Sequence, residues 1–428
     1  MAWRHIVVLC AAVLGHSTAA RPQALDLRNL SGRSAGLAGA GSASVDDASA
    51  VVANPAMLSR LDRVAVELAA RRVDRGPALF SIDGTFEATD LEEERTVAAA
   101  FVGWRAGGSD GRLGVGLGFH SPFESQTRWG LDFFRRFDTR VETIDIEEVS
   151  AAVAWRIGRW SFAAGPRYVS GDLERVTVMP VGSPIATGFR GEADVRAIAD
   201  VSAWGWSVAV DHQRAAWGAA LVARSKVDLR AESKGAEVEL VDFFLADEGL
   251  REGALEVIEP QLEFLEGFDW PLAFDLPLEL RVAFWAAPHP RLSLHLDLSH
   301  QEWSEVLSLT PRFNFRQRFP IPFPQQRAFD DTLAARLGAE ISLSAAWRLY
   351  FGVADEESFV ADRIVDVGLP SGDSRILAFG AGWEHGRFGI DAAFAEVDID
   401  DLVEPAEVRD TTLSTDRSEL TISLRLAF

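Results

Sequence analysis

Side chains able to act as nucleophile, base or metal ligand are few in this chain, and their spacing argues against each chemistry in turn. His120 and Ser121 stand side by side in "GFHSPF", residue types that serve elsewhere as base and nucleophile. In extended backbone, however, neighbours point to opposite faces. His295 and His300 likewise face opposite ways along an unbroken strand. No grouping of histidines and carboxylates has metal-ligand spacing, and the acidic runs "LEEER" at 91–95, "ADEES" at 354–358 and "DIDD" at 398–401 read as loop acids. The expectation is a protein that is not an enzyme and needs neither metal nor cofactor.

A second constellation is conformational. "VDDASAVVANPAMLSRL", residues 45–61, joins the paired acids Asp46 and Asp47 to Asn54, Pro55 and Ala56. Pro55 lacks an amide donor and biases Asn54 away from helix, which fixes a turn. Upstream, Gly32, Gly36, Gly39 and Gly41 among small residues allow compact irregular backbone. Such backbone survives at membrane depth only when enclosed by protein. Enclosed carboxylates then need partners: inward arginines such as Arg281, Arg348, Arg375 or Arg425, or water in a wet lumen.

Arg4 and His5 precede an apolar run from Ile6 to Leu14 and the small residues Ser17 to Ala20, the three regions of a secretory signal peptide. The run is shorter than the roughly 20 residues a bilayer span requires, so residues 1–20 are expected to be removed. Cys10 is the only cysteine and lies within that segment; Val7, Val8 and Leu9 before it are wrong for lipid attachment. Export without disulfides is the consequence. With 42 basic against 64 acidic residues the formal charge is -22, which excludes nucleic acid as a partner. At an outer surface such acids could hold divalent cations between lipopolysaccharide groups.

The elements that must position these residues alternate with period two. In "RSELTISLRLAF", Leu420, Ile422, Leu424, Leu426 and Phe428 oppose Glu419, Thr421, Ser423 and Arg425, and "RLSLHLDLSH" repeats the device with Leu292 to Leu298. Fourteen strands are expected, near 63–73, 95–105, 111–123, 144–157, 159–175, 192–211, 216–230, 277–287, 291–303, 328–343, 345–355, 374–385, 386–397 and 417–428. Short joints such as "GR" at 158–159 and "PHPR" at 288–291 alternate with long ones such as 231–276. Short turns on one side, long loops on the other and an even strand count describe an all-β, antiparallel transmembrane β-barrel of the outer membrane. Trp104, Trp155, Trp160, Trp217, Trp285, Trp347 and Trp383 lie near the short turns, where an aromatic girdle belongs. Phe428 at the end of an alternating strand is read as the signal for the barrel-assembly machinery. An unpaired edge in hydrocarbon is prohibitive, so strand one must close on strand fourteen.

Patches along the whole exported chain resemble the FadL-like family of outer-membrane long-chain fatty acid transporters, which includes TodX-type importers of aromatic hydrocarbons. They include "DDASAVVANPAML", "VGLGFHSPFESQTRWGLDFFRRF" at 115–137, "WGAALVARSKVDL" at 217–229, "SHQEWSEV" at 299–306 and "LPSGDSRILAFGAGWEH" at 369–385. The resemblance implies a 14-stranded barrel at 63–428, plugged by an N-terminal hatch at 21–62 that contains Asp46, Asp47, Asn54, Pro55 and Ala56. It implies passive uptake of long-chain fatty acids or similar hydrophobic molecules from the lipopolysaccharide surface, with sideways release into the membrane lipid. Uptake of aromatic hydrocarbons and a non-transporting structural or adhesive barrel are the alternatives. The chain departs from the family in having only Tyr168 and Tyr350 as tyrosines, and in Arg21-Pro22 at the start of the exported part.

Two further sites follow. Gly114, Gly116 and Gly118 weaken the third strand, and Phe119, His120, Ser121 and Pro122 follow with a proline that cannot donate to a ladder. The family opens laterally at this strand, so the stretch is a candidate gate or else a plain bend at the rim. Loop 231–276 mixes acids with Phe243, Phe244, Leu245 and Phe264. These either collect substrate on short amphipathic helices or pack the loop onto the rim.

Overall fold

The computed structural model describes residues 25–26, 31–61, 64–82, 86–90, 93–107, 111–182, 189–233, 235–245, 251–313, 322–360, 366–404, 411–414 and 417–428. The signal peptide expected at 1–20 and the Arg21-Pro22 start lie outside them. Among the described residues fourteen long strands form a ring. They are β1 Val64–Arg75, β2 Glu93–Ala106, β3 Leu113–Arg128, β4 Val141–Ile157, β5 Trp160–Val181, β6 Phe189–Gln213 and β7 Trp217–Arg224. There follow β8 Glu279–His289, β9 Leu292–Gln301, β10 Thr332–Ser342, β11 Trp347–Glu356, β12 Ser374–His385, β13 Phe388–Ile399 and β14 Arg417–Ala427. Each pairs antiparallel with its sequence neighbour, and β1 closes on β14 from Ala65↔Ala427 to Arg75↔Arg417. Both ends of the ring therefore lie beside the short turns.

The exposure pattern excludes a water-soluble sandwich. On β14 it is Leu420, Ile422 and Leu424 that are exposed, at 44–50 %, while Glu419, Thr421 and Ser423 are buried. On β9, Leu298 faces out and His295, Asp297 and Ser299 face in. Apolar side chains outside and polar ones inside suit lipid around a filled lumen.

Trp104, Trp155, Trp160, Trp217 and Trp347 form the expected exposed girdle by the short turns. Trp285 is a correction. Period two places it with Arg281 and Ala283 on the lumenal row, and its Nε1 donates to Gln213 Oε1 at 2.7 Å. A second aromatic level, unforeseen in the sequence, stands further out on β5 and β6: Tyr168 and Trp204, ring centroids 5.0 Å apart, with Trp206.

β5 runs well past its expected end at 175, because it continues with β6 as a sheet extension to which Glu237–Leu245 adds an edge strand. In the same loop Arg251–Glu266 forms a helix, α1, whose own Ile258 and Leu265 are buried. The helix expected of this loop thus forms only in its second half. Phe243, Phe244 and Leu245 pair as strand residues with Gly191, Arg190 and Phe189.

Candidate transport site

The lumen holds two fillings. Residues 31–61 occupy the half nearest the short turns, as helical segments of one or two turns at Gly32–Gly36, Ser42–Ser44, Ala50–Ala53 and Pro55–Arg60. None is long enough to show an amphipathic period, which is why the segment fitted no pattern in the sequence. Pro55 opens the last turn at the position where its missing N–H matters least. Asn54 is fully buried with φ -160°, and its Nδ2 donates to Ser42 O at 3.1 Å.

Irregular backbone in a membrane-embedded lumen needs outside partners, and the inward row of the wall supplies them. Asp297 accepts from the amides of Gly41 and Ser42 at 2.9 and 3.2 Å. Glu340 accepts from Arg33 at 2.8 Å, Asp211 from Arg60 at 3.1 Å and Ser423 Oγ from Gly32 N at 3.1 Å. Arg281 donates to Ser42 Oγ at 3.1 Å, and Gln213 Nε2 to Ala43 O at 2.7 Å.

Asp47 folds onto its own chain, accepting from Ser49 N at 2.9 Å. Asp46 lies 3.8 Å from Arg348, one of the arginines proposed for it. Arg425 is directed instead to Asp391 at 2.6 Å. Arg375 is a correction: it shares the outward parity of Leu377 and Phe379 and pairs with Asp355 at 3.4 Å, so it does not face the lumen.

Wall glycines let the hatch come close. A Cβ on Gly352 would lie 2.2 Å from the Leu37 carbonyl carbon, and one on Gly114 2.3 Å from that of Leu58. Gly116 and Gly118 likewise face Leu58 and Val51. The three glycines of β3 sit in a ladder paired without interruption on both sides. They are a track for the hatch, and the discontinuity begins after them.

The β2–β3 ladder stops at Ala100↔Phe119. Beyond it, β2 keeps pairing with β1 from Ala99 to Glu93. β3 keeps pairing with β4 after a register shift, from His120↔Glu148 to Phe123↔Ile146, which leaves Ser121 and Pro122 in a bulge. The vacated edge of β3 is met by Leu25–Asp26, paired to Glu124 and Phe123.

Above the hatch an aromatic cluster fills the outer half. Trp303 stacks on Phe359 at 4.4 Å, and Phe123 packs on Phe274 at 4.5 Å, with Phe329 closing the group. Further out, Arg327 joins Asp366 at 2.8 Å, and Trp129 Nε1 donates to Val367 O at 2.9 Å, drawing segment 366–369 across the mouth. Between cluster and hatch lies a narrow, partly open cavity. Its apolar walls are Val52 and Ala53 of the hatch, Pro122 and Phe123 of the bulge, and Leu276 and Trp303.

Its polar pole is Arg167, Arg224 and Arg281 with Glu279, beside His120. Arg167 and Arg224 each donate to Glu148 at 2.7 Å, and Arg281 to Glu279 at 2.7 Å. Three guanidiniums thus share two carboxylates. His120 is buried, and its Nδ1 has no hydrogen-bond partner among the described residues.

Of the residues singled out in the sequence, His120, Pro122 and Arg281 line the cavity; Phe119 and Ser121 flank it in the chain. Asp46, Asp47, Asn54, Pro55 and Ala56 lie in the hatch below. Phe264 is exposed on α1. Phe428 stands at the rim, its amide donating to Val64 O at 2.9 Å. Apart from Arg281, read as an inward arginine for the hatch acids, the polar pole was missed. Its signal was present as charged residues on inward rows of separate strands, but only closure of the ring brings β4, β5, β7 and β8 to one cavity.

Residues 12–422 match the family described as outer membrane protein transport protein (OMPP1/FadL/TodX). Among curated proteins no sequence match is found. The fold is similar to that of a Pseudomonas aeruginosa FadL homologue, with TM-score 0.72 and 16% identity over 96% of this chain and 99% of that one. It is also similar to the P. putida toluene transporter TodX, with TM-score 0.69 and 15% identity over 94% and 99%. For the Ralstonia pickettii toluene transporter TbuX the values are 0.65 and 14% over 94% and 99%. The chain belongs to the FadL/TodX family of outer-membrane transport proteins for hydrophobic compounds.

Proposed function

We propose that the protein takes up long-chain carboxylic acids of the fatty acid type by passive diffusion and releases them sideways through the wall at β3. One observation carries this reading: a cavity with apolar walls and a guanidinium-rich pole ends at the bulge His120–Phe123. An alkyl chain gains about 0.8 kcal/mol per CH₂ on leaving water, which supplies the drive into such a cavity. Arg167, Arg224 and Arg281 outnumber Glu148 and Glu279 by one, which suits a carboxylate head. Residues 31–61 act as the hatch, Leu25–Asp26 as the piece covering the gap, and Phe264 belongs to the outer surface that first meets substrate.

The second reading, uptake of neutral aromatic hydrocarbons, is favoured by the packed rings of Phe123, Phe274, Trp303, Phe329 and Phe359. Uptake of labelled oleate and labelled toluene, measured in cells with and without the protein, separates the two. Oleate uptake is expected to depend on the protein. Equal uptake of both compounds in both strains would leave a structural or adhesive barrel. Arg224→Met sharpens the test: losing a charge-assisted hydrogen bond of about 1.5–3 kcal/mol should lower oleate uptake about tenfold or more and leave toluene uptake unchanged.

A further inference from the structure

The rim of short turns carries a charge pattern that transport does not use. Arg112 follows the β2–β3 turn, Arg159 lies in the β4–β5 turn, Arg214 in β6–β7, Arg291 in β8–β9 and Arg387 in β12–β13, and all five are exposed. Of the six short turns only Leu343 to Ala346, between β10 and β11, has no arginine. The turns holding Arg159, Arg214 and Arg291 contain no acid. Elsewhere on this rim Glu384 is engaged by Arg348 at 2.8 Å, and Asp110 lies outside the described residues.

A basic rim runs against the formal charge of -22. The outward acids gather at the other end of the barrel, where Asp145, Asp172 and Asp200 stand directly opposite one another across β4, β5 and β6. The arginines also share their level with the aromatic girdle. Arg214 lies 5.9 Å over the Trp217 ring and Arg387 5.9 Å over that of Phe428, so the guanidiniums are held where hydrocarbon gives way to headgroups.

We propose that Arg112, Arg159, Arg214, Arg291 and Arg387 form a ring that binds the phosphates of anionic phospholipids in the periplasmic leaflet. Guanidinium presents paired donors matched to phosphate oxygens. The distribution selects lipid over a protein partner: the arginines are spread one to a turn around the circumference, as an annulus of lipid requires, and are not gathered on one side.

The test uses the full exported chain in a neutral detergent, titrated with equal phosphatidylglycerol and phosphatidylcholine, with bound lipids counted by native mass spectrometry. The wild type should retain phosphatidylglycerol in preference, on the order of fivefold per site, and lose the preference as salt is raised. Changing all five arginines to Gln should abolish it, whereas R72Q/R196Q/R375Q at the outer rim should leave it intact. Should the five-fold variant not fold, as judged by heat-modifiable gel mobility, the single variants must each lower the preference. Equal retention of the two lipids by the wild type, an undiminished preference in the five-fold or single variants, or its loss in the outer-rim variant would overturn the proposal. Binding of polyglutamate without any phosphatidylglycerol preference would also overturn it and assign the ring to an acidic protein.

Discussion

At the scale of single residues, the site depends on where side chains are missing as much as on where they are charged. Gly352 lets the Leu37 backbone reach the wall, and a methyl group there has no flexible neighbour to displace. Gly352→Ala is therefore expected to destabilise the folded barrel by about 1–3 kcal/mol, read as a lower unfolding midpoint in urea. Asp366 makes a pH prediction outside the membrane-spanning strands. Burial disfavours its charged form, but Arg327 and the amides of Gly368 and Leu369 outweigh that and hold its carboxyl below the ordinary range. A lowered folded pKa means the contact stabilises fully above the unfolded value of about 4 and is lost as pH falls through the folded one. Amide protection at Gly368 and Leu369 should hold at neutral pH and through the ordinary carboxylate range, and collapse only at more acid pH. In Asp366→Asn it should be low throughout.

At the scale of elements, the hatch and the wall break make separable predictions. Ser59 Oγ and Ser161 Oγ meet at 3.1 Å between the hatch and β5, and residues 21–428 contain no cysteine to confuse a cross-link. The cavity lies above this contact, so an oxidised Ser59→Cys/Ser161→Cys pair should leave uptake within about twofold; loss of uptake on oxidation would mean the hatch body must move. Leu25 and Glu124 are register partners across the vacated edge of β3. Here Leu25→Cys/Glu124→Cys should block uptake when oxidised and recover it on reduction. Undiminished uptake by the oxidised pair would sink the lateral route.

At the scale of the whole molecule, the ring solves one problem and creates another. Closing β1 on β14 pairs the two terminal strands against lipid, yet leaves a lumen lined by the polar row of each strand. Many of those polar groups are satisfied by the hatch or by one another, although His120 Nδ1 at the cavity has no hydrogen-bond partner among the described residues. Asp297, Glu340 and Asp211 serve the hatch backbone and its arginines, while Glu148 and Glu279 organise the arginines of the pole. The region free to receive substrate is what the hatch below and the aromatic cluster above leave open.

The strands were legible in the sequence because period two is a local property. Alternation at Leu420 to Phe428 needs only the pleat, and all fourteen expected strands are found, most within a few residues of their places, although β5 runs on to Val181 and β7 stops at Arg224. The turns and the girdle are local as well, and Trp285 failed only because adjacency to a turn does not fix parity. Arg375 failed for the same reason, since one residue of register moves a side chain from lumen to lipid. The hatch was legible as composition but not as structure, its turns being too short to carry a period. The cavity was legible only in fragments, as the stretch at His120 and Pro122 and the inward Arg281. His120, Arg167, Arg224 and Arg281 are far apart in the chain, and their convergence depends on ring closure, strand register and the depth at which the hatch stops, which are properties of the assembled barrel alone.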